Sequence, residues 1–163
     1  MSTFAESIVV RPLRRGERGV VERVFAGLSE RSRRLRFLGA KPVLRPHEVE
    51  LLADVGCCGR EALVAADRDS GEPVGIARYV REGDEPTGEV AFAFAVVDAW
   101  QRRGIGRLLS RELARLAVAN GLERFRGTVA ADNAAALALL SQLGTVERRV
   151  WDGAALELTI RLR

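Results

Sequence analysis

The sequence predicts an α+β fold in which helices flank a central sheet that contains an antiparallel meander. Three strand-like segments follow one another between residues 61 and 97 with short, turn-rich connections, which predicts an antiparallel meander. In the segments on either side, apolar residues recur at the three- and four-residue spacing of amphipathic helices. A length of 163 residues suits a single domain, 1–163, with a core of its own.

The first third of the chain is predicted to be a strand followed by helices. β-branched residues are concentrated in Ser7–Leu13, which predicts a strand that stops near Pro12. In the second of the helices that follow, we expect Leu35 and Leu38 to face inward and the arginines to face solvent. The three predicted helices are Gly16–Leu28, Glu30–Leu38 and His47–Val55.

The remaining elements alternate between the two types. The meander strands are predicted at Ala62–Ala66, Pro73–Arg81 and Glu89–Val97, with turns at Asp67–Glu72 and Arg81–Thr87. A long helix, a strand and a short helix are predicted at Gly104–Asn120, Phe125–Ala130 and Asn133–Leu143. Asp152-Gly153 is a strong hairpin signal between two final strands, Val146–Trp151 and Ala155–Leu162.

The composition excludes several classes of protein. The formal net charge is +4, but 25 arginines and the single Lys41 are scattered among 22 acidic residues, and neither a recognition motif nor an aromatic platform for nucleic acid accompanies them. The sequence contains no apolar run of about 18 residues, and Met1–Phe4 lacks the basic and apolar regions of a signal peptide. Cys57 and Cys58 are adjacent, with no third cysteine to build a zinc site. We therefore expect a cytoplasmic protein without nucleic-acid, membrane or metal partners.

The segment that connects the third meander strand to the long helix carries the clearest functional signal. It contains the pattern Q-x-x-G-x-G, at Gln101, Gly104 and Gly106. The N–H groups at a helix N-terminus have no intrahelical partner and bind phosphate well, and glycines let the backbone approach closely. Leu109 replaces the third glycine of a dinucleotide fingerprint, and the Lys-Ser/Thr pair of a P-loop is absent. The spacing alone is equally compatible with an ordinary strand-to-helix turn.

This pattern resembles the acyl-CoA pyrophosphate loop of the GNAT superfamily of N-acetyltransferases. Asn133, Ala136, Leu139 and Gly144 are similar to the helix that flanks coenzyme A in that family. Leu140 stands where the family usually has a tyrosine that protonates the departing thiolate, so the resemblance is to members that work without it. The predicted element order also matches, so the resemblance covers essentially the whole chain. It implies the GNAT fold, an α/β/α layered fold with a mixed, mostly antiparallel central sheet flanked by helices.

A narrower resemblance concerns the reaction. The run Glu89-Val90-Ala91-Phe92 is similar to the catalytic domain of Pat-type bacterial protein lysine acetyltransferases, where the matching glutamate is the general base. This implies direct acetyl transfer from acetyl-CoA to a protein lysine, with Glu89 as base. The residues alone favour a solvated acid at a strand end for Glu89, and the resemblance reverses that interpretation. Transfer to a small amine and a non-catalytic acyl-CoA-binding module remain alternatives, as do a monomer and a homodimer.

The resemblance also implies which residues hold acetyl-CoA. We expect the main-chain N–H groups near Val96 and Val97 to stabilise the oxyanion, and solvent to protonate the thiolate. The cluster Arg31, Arg33, Arg34 and Arg36 is either a solvated helix face or part of the acceptor site. The expected cofactor-binding residues are Val96, Val97, Gln101, Arg102, Arg103, Gly104, Ile105, Gly106, Arg107 and Asn133.

Overall fold

The computed structural model describes residues 4–82 and 88–163. Within these ranges the strands are β1 (Ile8–Pro12), β2 (Arg60–Asp67), β3 (Pro73–Val80), β4 (Glu89–Val96), β5 (Arg124–Ala130), β6 (Gly144–Asp152) and β7 (Ala155–Leu162). The helices are α1 (Arg18–Ala26), α2 (Glu30–Phe37), α3 (Pro46–Ala53), α4 (Ile105–Ala119) and α5 (Ala134–Ser141). The turn predicted at Arg81–Thr87 lies largely outside the described residues. So does Met1–Phe4, where the sequence shows no signal-peptide features.

All seven strands belong to one sheet with the order β1-β2-β3-β4-β5-β7-β6. Neighbouring strands are antiparallel except for β4 and β5, which are parallel. The prediction of a mixed, mostly antiparallel sheet with flanking helices is therefore confirmed. Among the described residues, no helix is both long enough and apolar enough to span a membrane.

The parallel pair is short. Only the first three residues of each strand pair: Glu89–Ala91 of β4 lie opposite Arg124–Arg126 of β5. β4 has 8 residues in all and β5 has 7. Beyond Ala91 the two strands separate, while β4 stays paired with β3 and β5 with β7. The sheet is therefore open on one side of a short junction, and a V-shaped cleft forms between the C-terminal halves of β4 and β5.

Helices cover both faces of the sheet and bury its apolar residues. On one face, α1 and α3 pack against β2 and β3 through a cluster that includes Val24, Val49, Val64 and Ile76. On the other face, α4 buries its apolar side against β3 and β5, in a cluster that includes Leu109, Leu113, Tyr79 and Phe125. A third cluster lies between α5 and the strands β5 and β7, and includes Leu140 and Ile160.

One buried position was predicted wrongly. Leu38 does not face the core: it caps the C-terminus of α2 with a φ of 58° and is 46% exposed. The left-handed conformation turns the chain out of the helix at this residue, so helical spacing no longer describes where its side chain points.

Candidate active site

A cavity of about 670 Å³ fills the cleft between β4 and β5. Its walls come from the second half of β4, the loop that leads into α4, Gly127–Val129 of β5, the start of α5, and the cleft-facing side of α2. This volume lies within the range that small-molecule and cofactor sites occupy, about 300–1,000 Å³. The predicted residues Val96, Gln101, Arg102, Gly104, Ile105, Gly106, Arg107 and Asn133 all line this cavity.

Alternate main-chain groups of β4 face this cleft. The N–H of Val97 donates to the carbonyl of Val74 across the β3–β4 pair, at 2.9 Å. Because hydrogen-bonded and non-hydrogen-bonded pairs alternate along an antiparallel ladder, the main-chain groups of Phe92, Phe94 and Val96 point away from β3. They face the side on which β5 has separated. The carbonyl of Val96 accepts from the side-chain amide of Gln101, and the other groups are available to a ligand lying in the cleft.

Val97 itself does not fit the role predicted for it. Its side chain lies outside the cleft lining, and its N–H is already committed to Val74. The expectation of an oxyanion donor at Val97 is therefore corrected. Val96, one residue earlier in the ladder, has the required orientation.

A phosphate-sized cradle lies at the end of β4. Arg102 has a φ of 62° and Gly104 a φ of 83°, and α4 begins immediately after Gly104 without a side-chain cap. The N–H groups of Gly104, Ile105, Gly106 and Arg107 donate to no backbone acceptor in the part of the chain that the structure describes. Successive N–H groups in left-handed turns and at a helix N-terminus bind anions, so this loop has the geometry of a phosphate site.

Arg103 differs from its neighbours in the loop. Its guanidinium stacks over the ring of Trp100, 5.0 Å from the ring centroid, and its side chain does not line the cavity. Arg102 and Arg107 do line it. Arg102 in the loop and Arg107 in the first turn of α4 are therefore positioned to add charge to the cradle.

Hydrogen bonds attach α2 to this loop. The amide of Gln101 donates to the carbonyl of Val96 at 2.9 Å and to the hydroxyl of Ser32 at 3.1 Å. The N–H of Ser29 donates to a carboxylate oxygen of Asp98 at 2.8 Å. Burial raises the pKa of Asp98, but hydrogen bonds from Ser29 and Ser32 outweigh it and leave that pKa below its ordinary value. The loop and α2 therefore form two connected walls of the cleft.

Glu89 lies at the opposite end of β4 from the cradle. It is the first residue of the strand, about 23 Å along β4 from Val96 at the usual rise per residue. Its carboxylate is 3.5 Å from the guanidinium of Arg126, which also pairs with Glu82, and its side chain is 28% exposed. Glu89 does not line the large cavity; it is located at the β4–β5 junction where the cleft ends.

The start of α5 forms the wall opposite β4. Asn133 caps this helix, with its side-chain oxygen accepting from the N–H of Ala136 at 3.2 Å. Leu139 lines the cleft, whereas Leu140 is completely buried in the third core cluster. The side chain that replaces the usual tyrosine therefore points into the core.

The arginines of α2 are not a uniform solvated face. Arg31 and Arg36 line the cleft, and Arg33 stacks over Phe25 with its guanidinium 4.0 Å from the ring centroid. The prediction that the α2 arginines face solvent is therefore wrong for Arg33 and Arg36. Sequence reasoning also missed Arg78, whose only signal was a charged residue inside the otherwise apolar strand β3.

A model of the acetyltransferase (GNAT) family matches residues 30–145. The chain belongs to the GNAT family. It is 31% identical to an acetyltransferase of Pseudomonas aeruginosa over 144 residues, covering 87% of this chain and 76% of that protein. It is also 33% identical to acetyltransferase Pat of Mycolicibacterium smegmatis over 143 residues, which are 86% of this chain but only 42% of that relative.

Solved structures agree with this assignment. The GNAT domain of S. lividans PAT superposes with a TM-score of 0.83 at 26% identity, covering 94% of this chain and 89% of that one. The fold is also shared with yncA from Salmonella typhimurium, solved with its cofactor acetyl-CoA, at a TM-score of 0.69 and 18% identity over 96% of this chain and 94% of that one. The protein is thus an acetyl-CoA-dependent N-acetyltransferase, and its cleft, cradle and cleft-facing β4 backbone fit that cofactor.

Proposed function

We propose that this acetyltransferase transfers the acetyl group directly to a primary amine, with Glu89 as the general base, and that the amine is a protein lysine in the cytoplasm. The observation that carries the proposal is the position of Glu89 at the β4–β5 junction, at the end of the cleft farthest from the phosphate cradle. The resemblance to Pat-type enzymes supports the lysine acceptor.

The cleft offers binding groups for two parts of acetyl-CoA, the pyrophosphate and the pantetheine arm. The N–H groups at the start of α4, with Arg102 and Arg107, would hold the pyrophosphate, because guanidinium groups add charge-assisted hydrogen bonds to a cradle of main-chain donors. The main chain of Phe94 and Val96 would pair with the amides of the pantetheine arm. When bound, the cofactor supplies an activated thioester whose acyl group would point towards the junction.

Glu89 would make the acceptor nucleophilic. A lysine amine has a pKa of about 10.4, so almost all of it is protonated near neutral pH and needs a group that removes its proton. The carboxylate of Glu89 would accept that proton, directly or through a water molecule. Its ion pair with Arg126 fixes the side chain at the junction.

Main-chain N–H groups would stabilise the negative charge that develops on the acetyl oxygen. The N–H of Phe92 faces the cleft nearest the junction and would be the donor, whereas Val96, the donor expected from the sequence, lies at the cradle end of β4, about 23 Å from Glu89 along the strand. Leu140 cannot protonate the departing thiolate, but a thiol with a pKa of about 8.5 leaves readily near neutral pH. Solvent protonation is therefore sufficient for the proposed reaction.

Replacing the base tests this assignment. We expect Glu89→Gln to lower kcat about 100-fold or more, because a positioned general base contributes about 10²–10⁴ in rate, while leaving acetyl-CoA affinity within about twofold. The measurement combines thiol release, product masses from a lysine-containing protein mixture and a panel of small amines, and calorimetric binding of acetyl-CoA.

Glu123→Gln is the matched control, because Glu123 is an exposed carboxylate next to the same end of β5. It should turn over like the wild type. A Glu89→Gln variant as fast as the wild type would show that Glu89 is not the base. Tight acetyl-CoA binding by the wild type without transfer to any acceptor would instead identify a non-catalytic binding module.

A further inference from the structure

Arg78 is a buried cation at the level where the cleft begins. It occupies the middle of β3, is only 8% exposed, and pairs in register with Ala93 of β4. Ala93 is two residues beyond Ala91, the last β4 residue that pairs with β5. The Arg78 guanidinium donates to the carbonyl of Leu52 at 2.6 Å.

Arg36 approaches the same region from α2. It lines the large cleft and also a smaller adjoining cavity of about 40 Å³, which Arg78 lines as well. Ala93 and Ala95 form the β4 side of this smaller cavity, and their methyl groups leave space beside the two guanidinium groups. Arg36 itself stacks over Phe37, 4.8 Å from the ring centroid.

These two arginines have no acidic partner among the described residues. Across residues 4–82 and 88–163, no carboxylate forms an ion pair with Arg36 or Arg78, whereas the nearby Arg60 pairs with Asp54 at 2.8 Å. Burial lowers the pKa of Arg36 to about 10, and burial together with the charges of Arg36 and Arg60 lowers the pKa of Arg78 to about 10. The fold therefore holds two neighbouring cations in a site that disfavours positive charge.

Capping of α3 accounts for only part of this arrangement. The carbonyl of Leu52 lies in the last turn of that helix, where a positive group interacts favourably with the helix dipole. This bond uses one of the five N–H donors of Arg78 and neutralises no charge. It also gives no reason for Arg36 to line the same cavity.

We propose that Arg36 and Arg78 bind a carboxylate of the acceptor, and so select amines that carry an acidic group at about the distance of a lysine side chain. The inference rests on the proposed function, since it concerns the acceptor of that reaction. Planar guanidinium groups recognise carboxylates through paired, charge-assisted hydrogen bonds. An anchored carboxylate would hold the amine near the β4–β5 junction, where Glu89 is located.

Two kinds of acceptor carry this chemistry. One is a free amino acid, whose α-carboxylate would occupy the site while its side-chain amine reacts. The other is a protein lysine with an aspartate or glutamate beside it. The two sources are separable with small and peptide acceptors.

The test compares acceptors that differ only in the carboxylate. Nα-acetyl-lysine is paired with its carboxamide, and a capped peptide with glutamate beside its lysine is paired with the glutamine version. We expect kcat/KM for the acidic member to be about tenfold higher or more in at least one pair, mostly through KM, the size of effect that a charge-assisted hydrogen bond gives. A preference in the first pair identifies an amino-acid acceptor, and one in the second identifies a protein acceptor.

Variants then show which residues cause the preference for an acidic acceptor. Arg36→Gln and Arg78→Gln should bring the acidic-to-neutral ratio close to one, whereas Arg34→Gln, an exposed arginine of the same helix, should keep it. Because the ratio is taken within one protein, partial loss of folded enzyme cancels, and Arg36→Gln suffices if the Arg78 variant does not fold. A wild-type ratio near one, or a preference that survives in Arg36→Gln, would overturn the inference and leave the proposed function intact. Absence of transfer to every acceptor would overturn both.

Discussion

At the scale of single residues, Leu140 shows how one side chain can change role within a family. Its position usually holds a tyrosine near the thiolate, but here the side chain has 0% exposure and packs with Leu156 and Ile160. Its buried neighbours are aliphatic, and Phe92 and Phe94 pack against the same cluster. A larger side chain at this position would have to displace them before it reached the cleft.

We therefore expect Leu140→Tyr to lower the free energy of unfolding by about 1–3 kcal/mol, the usual cost of overpacking a core, without raising kcat. Denaturant unfolding and steady-state kinetics would measure the two quantities. A tenfold gain in kcat with unchanged stability would contradict this, and would show that protonation of the thiolate limits the reaction.

The residues whose positions could not be predicted from the sequence are charged residues in buried surroundings. Helical periodicity assigns a charged residue to the solvent side, so Arg36 was expected outside, yet it lies where α2 crosses β4. The glycine loop could be predicted, because a positive φ at Gly104 is a property of the local chain. Gly127 is a third case. A Cβ there would come within 2.6 Å of the Phe92 ring, and this close approach of β5 to β4 could not be predicted from the sequence.

At the scale of elements, the connection between β1 and α1 depends on one carboxylate. Glu17 sits at the N-terminal boundary of α1, accepts from Arg11 at 2.7 Å, and accepts from the N–H of Arg14 at 2.8 Å. The hydrogen bond from Arg11 is the main cause that lowers the pKa of Glu17 from 4.5 to about 2. The charged form is therefore favoured in the folded protein.

This shift predicts a pH dependence. Because the folded pKa lies below the unfolded one, Glu17 contributes its full stabilisation above about pH 4.5 and loses it as the pH falls towards about 2. We expect the wild type to exceed Glu17→Gln in free energy of unfolding at neutral pH, and the difference to shrink across that window. Denaturant unfolding from pH 2 to 7 measures it, with Glu22→Gln, an exposed acid of the same helix, as control. A difference that stays constant with pH would contradict the prediction.

The order and type of the elements were predictable because they depend on local patterns. Each predicted helix and strand is present, with ends that shift by at most two residues. At α4 the shift has a local cause: the helix begins at Ile105 because Gly104 is in the left-handed region, outside the helix. The separation of β4 from β5 was not predictable, since it depends on which distant segments pair and where their pairing stops.

At the scale of the whole molecule, the sheet consists of β1–β4 and β5–β7 joined by three residue pairs. Acetyl-CoA in the cleft would contact both parts. At a concentration about 100-fold above its dissociation constant, a ligand that binds only the folded state stabilises it by about 2.7 kcal/mol. For a chain of this size, that corresponds to a rise in Tm of roughly 5–10 °C.

Thermal unfolding at increasing acetyl-CoA concentrations measures this effect. Pantetheine, which lacks the phosphates, should give a smaller shift at equal concentration, because it does not reach the cradle at Gly104. Equal shifts for the two compounds would indicate that the loop does not bind the pyrophosphate.

The separation of β4 and β5 also bears on strand pairing between molecules. It creates two strand edges inside the molecule, and exposed edges normally carry charged residues or prolines that block the addition of further strands. Between Val90 and Val96, β4 has neither. Its side chains there are restricted to small and aromatic residues by the core and the cleft. The walls contributed by α2 and α5, rather than the sequence of the strand, therefore keep this edge away from the backbones of neighbouring molecules.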